Sequence, residues 1–177
     1  ATKAQQLNWI GKSEGANVTF DVVENDTSLV VYTTAHDTIY GCTFMVVAPE
    51  HIFLEENKKN IINWSEIEEY IQAASKKTEL ERQAQKKKTG ALVKGITLVN
   101  PVNGVEVPLY VADYVLAGYG TGAVMAVPCG DQRDYNFAKF FNLPIVNIFK
   151  DIDISNEAFK EKDGFILTNS EELNGLD

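Results

Sequence analysis

Sulfur and imidazole are scarce in this chain: its 177 residues include two cysteines, Cys42 and Cys129, and two histidines, His36 and His51. Two cysteines cannot build a disulfide framework or a four-cysteine zinc site, and no C-x-x-C or H-E-x-x-H spacing occurs. No metal is expected, and a reducing compartment, the cytoplasm, is the expected location. Long apolar runs are missing too. No stretch nears the roughly 20 residues that a helical span needs, and no signal-peptide pattern opens the chain, so no membrane is expected. Neither a G-x-x-x-x-G-K-S/T loop nor a G-x-G-x-x-G fingerprint is present, so nothing here looks able to bind ATP. Positive charge is outweighed, with 16 Lys and Arg against 25 Asp and Glu, a net charge of −9. That excludes a surface gripping a long nucleic-acid backbone, but not a pocket that accepts one nucleotide end. The basic clusters Lys58-Lys59, Lys76-Lys77 and Lys86-Lys87-Lys88 lie among glutamates and read as solvated helix faces.

What is present suits one folded domain: 45% hydrophobic residues, 10% aromatics, and a length typical of a single unit. Strand and helix patterns alternate without an internal repeat. Val18 to Val23 and Leu29 to Thr34 alternate around Glu24-Asn25-Asp26-Thr27 and predict a hairpin. Asp37 to Gly41 predicts a helical turn capped by Asp37, and Thr43 to Ala48 a strand buried on both faces. Pro49 predicts the start of a short helix to about Asn57. Ser65 with Glu68 predicts a capping box opening one long helix to about Lys88, ended by Gly90. Strands are expected at Leu92 to Val99, Glu106 to Val111, Gly122 to Val127, Ile145 to Phe149 and Phe165 to Leu167, with a turn at Asn100 to Gly104 and a helix over Asp131 to Phe141. The expected class is mixed α/β, a barrel-like mixed β-sheet core decorated with helices.

Three segments could carry chemistry. Thr33-Thr34-Ala35-His36-Asp37-Thr38 sits where a strand turns into a helix, a rigid base for presenting hydroxyls and amides. Gly118-Tyr119-Gly120-Thr121-Gly122, leading into Ala123 to Pro128, permits close backbone approach. Asp131-Gln132-Arg133-Asp134-Tyr135 puts carboxylates at the positive end of a helix. On spacing alone each has a structural alternative: threonines at a strand end, a glycine bulge, and Asp131 and Asp134 as N-cap and N3.

Taken in order, T-T-x-x-D-T-x-x-G, N-P-V-N-G followed by A-D-Y-V-L, Y-G-T-G-A-V-M-A-V-P and D-Q-R-D-Y resemble the insertion domain that edits in leucyl-tRNA synthetases. N-W-I-G-K-S-E-G at Asn8 to Gly15 and L-N-G-L at Leu173 to Leu176 resemble its entry and exit. The resemblance thus covers 1–177 as one domain, with 1–15 and 168–177 as connections to a synthetase body. It implies the editing-domain fold of class I synthetases and hydrolysis of the ester in tRNA(Leu) charged with isoleucine, norvaline or methionine, leucine being excluded. It also implies partners, the 3′ end of that tRNA and the rest of the synthetase chain, in a monomer. It implies no cofactor in this domain, ATP being used by the synthetase body. Carried over by motif, Asp134 resembles the carboxylate that anchors the substrate's α-ammonium. Thr33 and Thr34 resemble the threonines that position ester and water. Thr38 resembles the wall that clashes with leucine's branched γ carbon, Met125 and Val127 the pocket lining, and Tyr119 a residue close to the terminal adenosine. An ester is already activated, so no nucleophilic side chain is required, and Cys129 has no adjacent histidine to activate it.

Two departures stand out. The family's T-T-R-P-D-T has Ala35 and His36 in its R-P positions, and P-x-H-D is here Pro128-Cys129-Gly130-Asp131. The alternatives are therefore a weakened hydrolase, a non-catalytic module that holds the tRNA 3′ end, or a structural insertion.

Overall fold

The computed structural model describes residues 15–34, 36–84 and 89–159, the side chain of residue 36 excepted. The entry motif up to Glu14, the exit motif and the strand expected at Phe165 to Leu167 lie outside them. Strands β1 (Ala16–Val22) and β2 (Ser28–Thr33) form the expected antiparallel hairpin, with Phe20 opposite Leu29. A 3-10 helix over His36–Gly41 follows, placing Asp37 in its first turn rather than at its cap. Then come β3 (Phe44–Val47), α1 (Ile52–Glu56), a 3-10 turn at Lys58–Asn60, α2 (Trp64–Ser75), α3 (Glu79–Ala84), β4 (Ala91–Val99), β5 (Glu106–Val111), β6 (Ala123–Ala126) and α4 (Gln132–Phe141).

The six strands run in the order β2-β1-β4-β5-β3-β6. All neighbours are antiparallel except β3 and β5, whose parallel register sets Met45 beside Leu109. The two edge strands, β2 and β6, come within 8 Å Cα to Cα, so the sheet curls into a nearly closed barrel. Closure removes most of the exposed edge that an open sheet presents. It also gives two apolar compartments, and β3 feeds both. Met45 and Val47 point into the one with Phe20, Val31 and Leu98, while Phe44 and Val46 join Tyr110 and Phe137 beneath α4. That is the physical content of an apolar run with no polar alternation. Phe44 stacks on Phe137 with ring centroids 5.4 Å apart, which seats α4.

Barrel closure needs a bend, and β4 supplies one. Its register shifts between Leu92 and Thr97, and Gly95 sits there at φ +97°. A Cβ on Gly95 would lie 2.2 Å from the Asn60 carbonyl oxygen, so the bulge is also where the 58–60 turn lies on the sheet. Gly95→Ala combines a disfavoured dihedral with a backbone clash. It is expected to cost about 2–4 kcal/mol in chemical denaturation; an unchanged midpoint would mean the bulge relaxes freely.

The helices depart from expectation in three places. The short helix begins at Ile52, not at Pro49: His51 caps it, its Nδ1 accepting from the Phe53 amide at 3.0 Å. No box forms at Ser65 and Glu68. Asn63 occupies the N-cap of α2, its side chain bridging to Lys94 N–H and Leu92 C=O. The long helix is two, because Thr78 and Glu81 make the reciprocal capping box: Thr78 N–H donates to Glu81 Oε1 and Glu81 N–H to Thr78 Oγ1, both at 3.1 Å. Residues 145–149 form no strand beyond an isolated bridge at Phe149. Asn147 captures the Phe149 N–H and the Ile152 carbonyl with its side chain, taking groups a ladder would need. Ile148 and Phe149 are nonetheless buried in the core.

Candidate functional site

The end of β2 carries the threonines. Thr33 is half-buried and Thr34, one step on, is exposed, as strand alternation requires. The 3-10 helix then turns Thr38, half-buried, back over the barrel. Three contacts fix it. Asn100 Nδ2 and Cys42 N–H both donate to the Ile39 carbonyl, at 3.0 and 3.1 Å, and Thr43 N–H donates to Ala126 C=O at 3.2 Å. Gly41 is the tight point: a Cβ there would lie 3.0 Å from Val127 Cγ1 and 3.2 Å from Cys129 Sγ. The missing side chain lets the threonine turn lie directly on the end of β6.

The glycine segment packs beside the same strand end. Gly120 and Gly122 adopt φ of +60° and +75°, and Gly120 sits against Tyr32 of β2, where a Cβ would be 3.2 Å from Tyr32 Cβ. Gly122 joins the sheet through Ala48 N–H, which donates to its carbonyl at 2.9 Å. Tyr119, just before Gly120, projects its ring with 80% exposure. His51 braces this loop through a hydrogen bond to the Thr121 backbone. Burial lowers its pKa, outweighing the pull of Thr121 and Glu56, so the ring is neutral while it caps α1.

The third segment opens α4. Asp131 is the N-cap as expected, accepting from the Arg133 and Asp134 amides at 2.8 and 3.3 Å and pairing with Arg133 Nη2 at 3.0 Å. Burial pushes its carboxyl up, but the Arg133 guanidinium and the two amides outweigh that and hold it below its ordinary value. Asp134 is different. It is 6% exposed, its Oδ2 accepting from Val127 N–H at 3.0 Å and its Oδ1 from the Tyr114 hydroxyl at 2.9 Å. Burial and the charge of Asp131 raise its pKa to about 7, despite those two donors and Arg133.

Asp134 and Val127 are thus directly bonded, and Val127 in turn touches the turn that carries Thr38. Met125 and Val127 are buried at the β6 end, Met125 paired with Met45 across the ladder. Tyr119 stands apart on its exposed loop. Burial pushes the thiols of Cys42 and Cys129 up to about 12 and about 11, so neither provides a thiolate near neutral pH. Among the described residues, no three His, Cys, Asp or Glu side chains converge to hold a metal ion.

Sequence reasoning passed over the groups that hold the site. Tyr114 lies in the A-D-Y-V-L motif, but nothing in its spacing showed that its hydroxyl meets Asp134. Arg82 was one charge in a polar helix. It is 6% exposed, with Nε on Asp113 C=O at 2.8 Å and Nη2 on Val115 C=O at 2.9 Å. Lys77, read as part of a solvated face, pairs with the buried carboxylate of Asp113 at 3.1 Å.

Comparison with known proteins agrees with this fold. A family model described as leucyl-tRNA synthetase, editing domain, matches residues 7–177. A leucine–tRNA ligase of Christiangramia forsetii is 46% identical over 99% of this chain and 18% of its own length. One from Alkaliphilus oremlandii is 44% identical over 98% of the chain and 22% of its own. A crystal structure of an Agrobacterium radiobacter LeuRS, in a ternary complex with tRNA and LeuAMS, superposes with a TM-score of 0.67 at 37% identity, over 95% of this chain and 19% of that one. The chain therefore spans about a fifth of the length of the relatives it matches. It belongs to the editing-domain family of leucyl-tRNA synthetases.

Proposed function

We propose that this domain hydrolyses the ester linking a wrong amino acid (isoleucine, norvaline or methionine) to tRNA for leucine, and leaves leucyl-tRNA intact. Apolar pockets discriminate a methylene by only about 1–3 kcal/mol, so a synthetic site mischarges at a low rate and a second, differently shaped site must remove the product. The observation that carries the reading is Asp134. Its carboxylate is fixed by two donors at the positive end of α4, and each oxygen keeps a lone pair for a further partner. An aminoacyl ester presents a cationic amine, which such a group orients through a charge-assisted hydrogen bond.

The remaining roles follow the order of the site. Thr33 and Thr34 place the scissile carbonyl and a water, and Thr38 closes the pocket against leucine with a side chain stiff at χ1. Met125 and Val127 line it, and Tyr119 offers its exposed ring to the terminal adenosine. The partners are the 3′ end of the mischarged tRNA and the rest of a synthetase chain, acting as a cytoplasmic monomer whose ATP chemistry lies outside this domain. Ala35 and Gly130 favour a second reading, a module that holds the tRNA end without cleaving it.

Deacylation by a leucine–tRNA ligase carrying this domain separates the two. Isoleucyl- and norvalyl-tRNA(Leu) are expected to be hydrolysed and leucyl-tRNA(Leu) spared. Asp134→Ala should slow hydrolysis about 10- to 150-fold, the value of a hydrogen bond to a charged group. A wild-type enzyme that binds these tRNAs and leaves them intact would establish the binding module instead.

A further inference from the structure

The carboxylate that this reading places against the substrate is neither free nor comfortable. Asp134 is buried at the start of α4, and the groups facing it are few. From its own helix come Asp131, which opposes its ionisation, and Arg133, which favours it. From the segment after the 3-10 helix comes the neutral thiol of Cys42. From β6 comes the Val127 amide, and from the turn after β5 the Tyr114 hydroxyl. Of the two hydrogen bonds, the Val127 amide is tied to the backbone of the strand end. Tyr114 is, among the described residues, the side chain that donates to Asp134, and an elaborate scaffold holds it.

That scaffold is built from the residues on either side. Asp113 is 1% exposed; its amide donates to Tyr70 Oη at 2.9 Å, and its carboxylate takes Lys77 Nζ at 3.1 Å and Thr89 Oγ1 at 3.3 Å. Arg82 bridges the carbonyls of Asp113 and Val115 with two arms of one planar fork. Its third arm reaches Glu50 at 2.8 Å. The two residues flanking Tyr114 are therefore clamped to α2 and α3, and the phenol between them is seated against Phe137 at 5.4 Å between ring centroids. Desolvation and the neighbouring Asp134 charge drive the phenol's pKa well up, so it is a donor at any working pH.

We infer that Tyr114 is a positioning residue for editing: its hydroxyl, held by the Arg82 and Asp113 clamp, fixes the Asp134 carboxylate in the orientation and charge state that the substrate's ammonium requires. The inference rests on the editing reading and deepens it. A carboxylate whose pKa lies near 7 is poised where one hydrogen bond decides its charge. Removing a donor to the charged form raises that pKa. At neutral pH most molecules would then carry a neutral acid that no longer attracts a cation.

The test is the pH profile of deacylation by the full-length ligase carrying this domain, wild type against Tyr114→Phe, at subsaturating isoleucyl-tRNA(Leu). Wild-type rates are expected to rise with pH through an acid limb near neutrality. In Tyr114→Phe the midpoint of that limb should move up by about one pH unit, a tenfold change in the protonation constant, with the deficit largest below neutrality and shrinking above it. Leucylation of tRNA by the same preparations controls for folding, and Tyr114→Phe should match wild type there. A deficit equal at every pH, or a midpoint that does not move, overturns the inference and leaves the editing reading standing. A wild-type enzyme inert at every pH removes both.

Discussion

Asp134→Asn is expected to yield a domain that is more stable at pH 8 than the wild type and, on the editing reading, slower to deacylate mischarged tRNA. The sign follows from the direction of the Asp134 shift. Its folded pKa, about 7, lies above the ordinary value of 3.8, so the native state binds the proton more tightly than the unfolded chain. The stability associated with the protonated carboxyl is fully present below about pH 4 and is lost as pH rises through about 7. Above that, the fold carries a buried charge that Val127 N–H and Tyr114 O–H compensate only in part. Asparagine keeps an oxygen for the Val127 amide, and its NH2 can donate to a Tyr114 hydroxyl turned to accept, with no charge to desolvate. At about 1.4 kcal/mol per pKa unit, the gain at pH 8 is about 2–4 kcal/mol. Urea unfolding at pH 5 and pH 8 checks it: the wild type should weaken between the two, and the variant should weaken far less. Equal pH dependence would mean that Asp134 is not a strained carboxylate. On the editing reading activity moves the other way, because a neutral amide anchors an ammonium ion far less tightly than a carboxylate does. A site that gives up stability for charge is the usual trade between function and folding.

Much of the fold is written locally. The β1–β2 hairpin and β3 follow from alternation in one case and its absence in the other, and both formed where those patterns lie. The N-cap of α4 is equally local, since Asp131 needs only the two amides that follow it. Failures occurred where a side chain had two possible employers. Ser65 and Glu68 satisfy the capping-box spacing, but Asn63 reaches β4, 31 positions away, and takes the cap with it. Thr78 and Glu81 satisfy the same spacing inside what reads as one continuous polar helix, and there the box won. Asn147 spends its amide on its own neighbours, and residues 145–149 stay irregular.

The site divides along the same line. Thr33, Thr34, Thr38, Tyr119, Met125, Val127 and Asp134 all lie in segments whose order is legible as a resemblance, and the structure puts the segments side by side through Gly41, Gly120 and the Val127–Asp134 bond. What surrounds them is not legible, because its value is set by burial and not by residue type. Arg82 in a helix of Glu, Gln and Lys looks like any solvated cation. Only the fold reveals that its guanidinium is enclosed and its partners are carbonyls.

Arg82 therefore carries the largest expected loss. Arg82→Ala removes three donors at once and leaves the Asp113 and Val115 carbonyls without those bonds in a place where water does not replace them easily. Each abandoned buried acceptor costs about 1–3 kcal/mol, and loss of the side chain's packing adds to that, for a total of about 3–5 kcal/mol. Glu50, 41% exposed at its side chain, can return to solvent, so the pair with Arg82 contributes little of this sum. Arg82→Lys offers one compact ammonium where a fork spans two carbonyls, and should recover less than half of the loss. Denaturant midpoints rank the three proteins, and amide exchange at residues 113–116 locates the damage: exchange there should quicken more than at Phe20 or Val31 in the barrel. Uniform quickening would place Arg82 in the global core instead of the clamp. Should the clamp alone be loosened, Arg82→Lys would fold, leucylate normally in the full-length ligase, and deacylate mischarged tRNA more slowly, because Tyr114 would no longer be held against Asp134.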